Sequence, residues 1–170
     1  MRRLLAGLFA MFIVVLPAAA SAERVRALID INDQTMTVDW GGGAVETWTV
    51  STGGRRSETP TGRFRGYRWS KDHWSSQFDA PMPWAVFIHQ GYAIHANDGR
   101  LGRPTSHGCV RLSIANARRF YEETRRRGVD VEIIGSTAEA VRSLEPTQRE
   151  RTRTSGRSGS AAGSAQSRFV

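Results

Sequence analysis

The amino-acid sequence predicts a mostly β domain with one main α-helix. Apolar and polar residues alternate over several short segments, and glycine, asparagine and proline interrupt the chain between them. Only one long segment, residues 113–127, has the apolar spacing of an amphipathic helix. A chain of 170 residues is long enough for one such domain with flanking segments, and too short for a second full domain.

The domain is predicted to begin with three short strands. Two alternating runs in residues 25–40 are separated by an Asn-Asp pair that favours a turn, so they predict a β-hairpin. Three consecutive glycines then break the chain, and residues 44–51 supply a third alternating run. The apolar positions of the hairpin are Val25, Ala27, Ile29, Ile31, Met36, Val38 and Trp40.

The middle of the chain is predicted to contain loops and strands in turn. Residues 51–62 are polar and rich in turn residues, and a strand follows around Phe64. Residues 70–84 contain two tryptophans and two prolines without a clear period, so we expect a long loop that covers a cleft. Two apolar runs joined by Gln-Gly in residues 85–96 predict a buried hairpin that brings His95 to the end of a strand.

The main helix follows, and a strand and a short helix complete the domain. Ser113 is a good N-cap, and Gly128 ends the helix. Residues 129–134 alternate as a strand, and the Ser-Thr-Ala-Glu motif at 136–139 is a capping box that begins the short helix. The residues predicted on the apolar face of the main helix are Ile114, Ala117, Phe120, Tyr121 and Thr124.

The N-terminal segment, residues 1–22, is predicted to be a secretory signal peptide. Two arginines precede an apolar stretch at residues 4–16, and an Ala-Ser-Ala cleavage motif follows at 20–22. The apolar stretch is too short to span a membrane comfortably, which disfavours the alternative of an uncleaved anchor. We therefore expect the mature protein to start at Glu23 and to work in the periplasm or cell wall.

The C-terminal segment, residues 146–170, differs in composition from the body of the chain. It carries five arginines and one acidic residue, so it accounts for much of the net charge of +8 and leaves residues 23–145 nearly neutral. Because it is rich in serine and glycine, we expect it to be disordered. Its charge suits anionic envelope polymers or lipid head groups, with a solvated tail that has no partner as an equal alternative. Nucleic-acid binding is not expected.

Cys109 is the only cysteine in the chain, so it cannot form an intramolecular disulfide. A thiol needs a nearby base to act as a nucleophile, and the sequence offers His107 two residues away and His95 at a strand end. Gly108 permits a tight backbone whose N–H groups face a developing oxyanion. A metal site with His89 would have an unusual ligand spacing, so we expect no metal and no cofactor. From these residues alone, a nucleophile and an unreactive buried thiol both remain open.

Three strings of the sequence together resemble the L,D-transpeptidase catalytic domain of the YkuD type. They are SHGCVRL at residues 106–112, YAIHA at 92–96 and VSTGGRRSETPTGRF at 50–64. The hallmark of that family is a histidine followed, after a spacer, by Ser/Thr-His-Gly-Cys. The resemblance covers residues 24–135 and implies a β-sandwich-like fold for a catalytic domain that spans residues 23–145.

The resemblance also implies roles for individual residues. Cys109 matches the nucleophile, and His95 matches the base that takes its proton, with the backbone carbonyl of Ala96 orienting the imidazole. His107 and Gly108 match positions that shape the oxyanion hole and hold substrate, and the Cys109 N–H contributes to that hole.

Two further positions, Ser106 and Arg111, match the residues that flank the motif. Arg111 is expected to brace the loop or to meet a carboxylate of the substrate, with a structural salt bridge as the alternative. The spacer between His95 and Ser106 is shorter than in much of the family, which leaves the rim of the cleft and the acceptor preference open.

The function implied by the resemblance is acyl transfer on peptidoglycan stem peptides. The cysteine attacks the carbonyl after the third residue of a tetrapeptide stem, releases the terminal D-alanine and passes the acyl group to an amine of a second stem or of an envelope protein. A cysteine-dependent amidase or L,D-carboxypeptidase on the same scaffold is the alternative. A peptidoglycan-binding module without turnover is a third hypothesis, which the cysteine and histidine set disfavours.

Overall fold

The computed structural model describes residues 23–144, which fold into two β-sheets and two α-helices. The predicted signal peptide, residues 1–22, and the predicted basic tail, residues 146–170, lie outside the described residues. Within the described part of the chain, no helix is long and apolar enough to cross a membrane. In chain order the elements are β1 (Val25–Asp30), β2 (Thr35–Asp39), β3 (Val45–Thr49), β4 (Gly62–Arg65), β5 (Arg68–Ser75), β6 (Ala80–His89), β7 (Tyr92–Ala96), β8 (Val110–Leu112), α1 (Ile114–Arg127), β9 (Val129–Ile134) and α2 (Thr137–Leu144).

The five-stranded sheet has the strand order β3-β2-β1-β9-β4. β1 pairs antiparallel with β2 and parallel with β9, so the late strand β9 lies beside the first strand inside the sheet. Buried and more exposed residues alternate along β1 and β9 because only one face of the sheet contacts the core. The predicted N-terminal strands and the predicted strand at residues 129–134 are confirmed.

The four-stranded sheet, in the order β5-β6-β7-β8, corrects one prediction. The sequence predicts a long loop over residues 70–84, whereas most of these residues form the β5–β6 hairpin. The ladder is interrupted at Trp84, whose φ is 58°, and Met82 and Phe87 belong to one cluster on the same side of β6 despite their odd spacing. A left-handed residue within a strand breaks the two-residue period on which the prediction depends. The two prolines lie where β6 pairs with β5 alone, so their missing N–H groups cost no bond to β7.

Both sheets and the main helix α1 contribute to one hydrophobic core. Ser113 caps α1 by accepting a hydrogen bond from the N–H of Asn116, and Gly128, at φ 75°, ends the helix as predicted. The predicted apolar face is buried except for Ile114, which is the first helical residue and is 56% exposed. α1 packs mainly against β6 and β7, so it supports the four-stranded sheet from the core side.

The short helix α2 begins at the predicted capping motif. The Oγ of Ser136 accepts a hydrogen bond from the N–H of Glu139 at 3.2 Å, which is half of a capping box. The other half is replaced, because the Ser136 N–H donates to Oδ1 of Asn32 at 2.9 Å. The mostly β fold with one main helix after Cys109 is therefore confirmed, with α2 as a minor addition.

Candidate active site

The parallel pair of β7 and β8 places His95 and Cys109 on one face of the four-stranded sheet. The register puts His95 opposite Arg111, and residues that are directly opposite share a face. Cys109 immediately precedes β8 and is two residues from Arg111, so its side chain points to the same side. The residues that alternate with this set lie in the main core and are Ile94, Ala96, Val110 and Leu112.

Cys109 is a half-buried free thiol. It packs against a small apolar cluster made of Met82, Ala85, Phe87 and Ala93. Burial raises the pKa of the thiol above its ordinary value of 9.0, and a backbone hydrogen bond at Ala93 and the charge of Arg111 oppose this change. The thiol is therefore neutral at pH 7 in the unliganded protein.

The imidazole of His95 is 5% exposed and is held in one orientation. Its Nδ1 lies 2.8 Å from the carbonyl oxygen of Ala96. A carbonyl can only accept a hydrogen bond, so Nδ1 carries the proton and Nε2 keeps a free lone pair. The family resemblance implies an orienting role for the Ala96 carbonyl, and this oxygen is the hydrogen-bond partner of the ring.

The protonation state of His95 follows from its burial. Desolvation lowers the pKa of His95 to about 4, although the hydrogen bond to Ala96 favours the charged form and opposes the change. The charges of Arg111 and His73 lower the pKa further. At pH 7 the site thus holds a neutral imidazole whose Nε2 can accept a proton.

Ser106 fixes the turn that carries Cys109. Its hydroxyl donates to the carbonyl oxygen of Cys109 at 2.5 Å and accepts from the N–H of Gly108 at 3.0 Å. This arrangement differs from one expectation, because the Gly108 N–H is bonded to a side chain instead of being free to face an oxyanion. Ser106 and Gly108 consequently act together to hold the backbone around the thiol.

Gly108 occupies a position that only glycine fits. Its φ is 109°, in a region that side chains rarely adopt. A Cβ atom at this position would overlap Cε1 of Tyr92. The ring of Tyr92 therefore packs directly on the backbone of the turn that carries Cys109.

A segment far upstream in the sequence, residues 51–59, holds the other side of this turn. Ser51 and Arg111 exchange two backbone hydrogen bonds, at 3.0 and 2.8 Å. The hydroxyl of Thr59 donates to the carbonyl oxygen of Gly108 at 2.8 Å and accepts from the N–H of Gly53 at 2.7 Å. Sequence reasoning assigned no role to Thr59, although it belongs to one of the three strings that carry the family resemblance.

The buried side chain of Gln34 binds the same segment at Thr52. It is 3% exposed and its φ is 53°. Its Oε1 accepts from the N–H of Thr52 at 3.0 Å, and its Nε2 donates to the hydroxyl of Thr52 and to the carbonyl oxygen of Ile31, both at 2.7 Å. A buried glutamine with every polar group paired rigidifies its surroundings, and nothing in the sequence pattern predicts it.

His107 is exposed and contacts the β5–β6 hairpin. Its ring stacks on Phe78 with the centroids 4.7 Å apart and the planes at 16°. Phe78 lies in the turn between β5 and β6, in the segment that the sequence predicted as a covering loop. The tip of the hairpin thus lies against the turn that carries Cys109.

The guanidinium of Arg111 has no protein anion as partner in residues 23–144. Its Nε is buried without a hydrogen bond, and no acidic side chain of the described chain pairs with it. The alternative of a structural salt bridge therefore fails for the part of the chain that the structure describes. No cluster of three or more His, Cys, Asp or Glu side chains able to hold a metal ion occurs in this part either.

The chain is similar to known proteins in sequence and in fold. The family model described as L,D-transpeptidase catalytic domain (YkuD) matches residues 24–133. No curated protein sequence gives a match.

Solved structures of L,D-transpeptidases share the fold of this chain. An L,D-transpeptidase from Stackebrandtia nassauensis is 24% identical with a TM-score of 0.62, and the match covers 69% of this chain and 58% of that chain. An L,D-transpeptidase from Mycobacterium smegmatis is 23% identical with a TM-score of 0.61, and the match covers 66% and 59%. The LD transpeptidase LdtMt1 in complex with imipenem is 22% identical with a TM-score of 0.59, and the match covers 66% and 59%. The chain thus spans less than two thirds of each structure, and at these identities the likeness establishes the fold.

Proposed function

Because the chain belongs to the L,D-transpeptidase catalytic domain family, we propose that it is a peptidoglycan L,D-transpeptidase with Cys109 as its nucleophile and His95 as its base. One observation carries the proposal. The only cysteine of the chain shares a sheet face with a buried imidazole whose Nδ1 is bonded to the Ala96 carbonyl. That bond leaves Nε2 as the proton acceptor, which is the atom that a general base needs.

The first half-reaction forms an acyl-enzyme. As the sulfur of Cys109 attacks the carbonyl carbon of the third stem residue, its proton moves to Nε2 of His95 and a carbon–sulfur bond forms. The tetrahedral intermediate carries its negative charge on the former carbonyl oxygen. Its collapse breaks the carbon–nitrogen bond, and the proton on His95 goes to the leaving amine of D-alanine.

The second half-reaction regenerates the thiol. The acceptor amine gives a proton to His95 as it attacks the thioester carbonyl, a new carbon–nitrogen bond forms and the carbon–sulfur bond breaks. The proton then returns to the sulfur. Burial lowers the pKa of the imidazole and raises the pKa of the thiol, which disfavours a preformed thiolate–imidazolium pair. We therefore propose that the proton transfer accompanies the attack instead of preceding it.

The backbone N–H of Cys109 is the donor that we assign to the oxyanion. The neighbouring N–H of Gly108 is bonded to Ser106, and the carbonyl of Gly108 is bonded to Thr59. These bonds fix the turn before substrate binds, and fixed donors are what makes an oxyanion hole effective. His107, stacked on Phe78, forms part of the rim where substrate enters.

Arg111 is proposed to meet a carboxylate of the stem peptide. Its guanidinium has no acidic partner in the described chain, and its charge reaches both His95 and Cys109. A cation left unpaired next to a nucleophile suits an anionic substrate group.

The acyl acceptor is an amine of a second stem, of an envelope protein or of a D-amino acid. Transfer to water would make the enzyme an L,D-carboxypeptidase or amidase, which remains the alternative. We place the enzyme in the periplasm or cell wall, with residues 1–22 as its signal peptide, residues 23–145 as its catalytic domain and the basic residues 146–170 as a tail that contacts anionic envelope polymers or lipids.

Intact-protein mass spectrometry tests the proposal. Purified protein is incubated with a tetrapeptide muropeptide or with imipenem, and the expected result is a covalent adduct on the wild type that Cys109→Ala abolishes. Absence of an adduct on the folded wild type, or its persistence on Cys109→Ala, would refute the assignment. Muropeptide products with and without an added amine then separate the two activities, because new dimers indicate transfer and shortened stems alone indicate hydrolysis.

A further inference from the structure

The arginines within the two sheets differ in whether they have an acidic partner. In the five-stranded sheet, Arg26 pairs with Asp39 at 2.8 Å, Arg63 with Glu132 at 3.3 Å and Arg65 with Asp130 at 3.1 Å. In the four-stranded sheet, neither Arg68 nor Arg111 forms an ion pair with any acidic side chain of residues 23–144. The expected substrate accounts for Arg111 but not for Arg68.

Arg68 lies on the same sheet face as the thiol. It is directly opposite Phe87, and Phe87 is directly opposite Ala93. Ala93 contacts Cys109 in the apolar cluster and bonds it through its backbone. Cys109 immediately precedes β8, so these four residues follow one another across the sheet and form one lateral row.

The row sets the distance between the guanidinium and the thiol. Neighbouring strands are about 4.8 Å apart, so the backbone of Arg68 lies about 14 Å from that of Cys109. The guanidinium carbon of Arg68 lies 3.6 Å from the centre of the Phe87 ring, one strand nearer to the thiol. The charge is thus about 10 Å from the nucleophile across the strands. Arg111, by contrast, is about 7 Å away along β8.

The aromatic surroundings hold this guanidinium in place. It stacks on one ring, Phe87, against which His73 packs edge-on with the centroids 5.0 Å apart. Stacking fixes the plane of a guanidinium and leaves its N–H edges available to an anion. Arg68 is exposed, so a ligand in the cleft can reach those edges.

A tetrapeptide stem has a carboxylate at the matching distance. Its second residue is a glutamate linked through the γ-carboxyl, which leaves the α-carboxylate free. Seven bonds separate that carboxylate from the carbonyl that the sulfur attacks, a span of about 9 Å when extended. This agrees with the distance from the nucleophile to the Arg68 guanidinium.

We propose that Arg68 binds the free α-carboxylate of the γ-linked glutamyl residue of the donor stem. This inference rests on the proposed transpeptidase function and extends it to a choice between substrates. The enzyme acts preferentially on stems whose glutamyl carboxylate is free, and slowly on stems in which it is a carboxamide.

The test compares two tetrapeptide stems that differ only in whether this carboxylate is free or amidated. For the wild type we expect acyl-enzyme formation to be about 10- to 100-fold faster with the free carboxylate, the range for a hydrogen bond to a charged group. In Arg68→Gln the two rates should agree within about twofold. The rate with the free-carboxylate stem should fall, whereas the rate with the amidated stem should stay the same. Arg68→Lys should keep part of the preference. The matched control is Arg63→Gln, an exposed strand arginine of the other sheet, which should behave as the wild type.

Several results would overturn the assignment. One is a wild type without preference, and another is a preference that survives in Arg68→Gln. A third stem, amidated instead on the side-chain carboxylate of its third residue, covers the remaining possibility. If Arg68→Gln changes the rate of acyl-enzyme formation relative to the unmodified stem only for that third stem, Arg68 binds the carboxylate of the third residue. The assignment to the glutamyl residue is then wrong.

Reaction of the thiol with iodoacetamide and with imipenem separates this inference from the proposed function. Both reactions should proceed in the wild type and in the control variant Arg63→Gln. If the wild type reacts with these reagents but with no stem, the transpeptidase proposal fails and this inference fails with it. If every variant is acylated by stems at a ratio independent of residue 68, only the role of Arg68 is refuted.

Discussion

The outer faces of the two sheets carry similar charged side chains and use them in opposite ways. On the five-stranded sheet, each arginine within a strand has a carboxylate partner, and these charges line a groove of about 610 Å³ together with Leu28. On the four-stranded sheet, Arg68 and Arg111 have no acidic partner in residues 23–144, and they flank a neutral thiol and a neutral imidazole.

The two faces differ in whether their charges are neutralised by the protein itself. The groove on the five-stranded sheet holds paired charges, which leaves little electrostatic attraction for a ligand. The other face offers unpaired cations, a base with a free lone pair and a thiol. In the proposed function, the face that acts on substrate is the one whose arginine charges have no acidic partner in residues 23–144.

Of the variants that test the difference between the two faces, His95→Gln should have the largest effect on the rate of acyl-enzyme formation. Loss of the base should slow acyl-enzyme formation by about a thousandfold, within the range for general-base catalysis. Arg26→Gln on the other face should change the rate by less than about twofold, since its ion pair with Asp39 is exposed. Stopped-flow or quenched mass spectrometry measures both rates, and circular dichroism verifies the fold. Comparable losses in the two variants would contradict the division between the faces.

Gly108→Ala should have the next largest effect. The substitution meets a positive φ of 109° and overlaps Tyr92, so we expect a loss of about 3 kcal/mol in unfolding free energy together with a loss of activity. Gly42→Ala is the matched control on the five-stranded side, because its φ is 63° but no atom lies within 4 Å of the new Cβ. That variant should lose about 1 kcal/mol and keep its activity. Urea unfolding measures the unfolding free energy of both variants. Equal losses would show that the positive φ alone causes the destabilisation and that the overlap with Tyr92 contributes nothing.

The free energy of unfolding should depend on pH because the imidazole of His95 is buried. The pKa of His95 falls from 6.5 in the unfolded chain to about 4 in the fold, so the unfolded chain binds more protons between these values. Stability should therefore fall as the pH decreases from 6.5 to 4, by up to about 3 kcal/mol at 1.4 kcal/mol per pH unit. Urea unfolding at pH 7, 5.5 and 4 measures this loss. His95→Gln should lose less over the same range, and an equal pH dependence in both proteins would refute the prediction.

The smallest effect is expected on the five-stranded sheet. Arg65→Gln removes an exposed ion pair with Asp130 and should cost less than about 1 kcal/mol. Thermal unfolding in low and high salt checks this, because screening should reduce the difference further. A larger loss that persists in high salt would show that this face contributes more to stability than its exposure suggests.

The sequence predicts the elements that have an uninterrupted period. β1, β2 and β9 alternate cleanly, and α1 has a clear N-cap and a terminating glycine, so these were predicted. The β5–β6 hairpin was missed because Trp84 has a positive φ in mid-strand. A local pattern cannot reveal a break that the surrounding sheet stabilises.

The residues of the candidate site likewise fall into those that the sequence predicts and those that only the structure reveals. Cys109 and His95 belong to a recognisable motif, whereas Thr59, Gln34 and Phe78 act through contacts between segments distant in sequence. Their residue types are ordinary for a polar turn or a hairpin tip. Only the fold places them against the turn that carries the thiol.

The position of β9 has a consequence for the order of folding. This strand pairs with β1 from Val25 opposite Val129 to Asp30 opposite Ile134, so the five-stranded sheet joins the two ends of the domain. Contacts between residues so far apart in sequence close slowly, and the sheet is complete only when the chain has been synthesised through residue 134. β4 pairs with the body of its sheet only through β9, so a nascent chain that ends before β9 leaves β4 without its partner strand. Segment 51–59, which holds the cysteine turn, lies between β3 and β4. The segment that supports the cysteine turn is therefore followed directly by a strand, β4, whose partner β9 is synthesised only after α1.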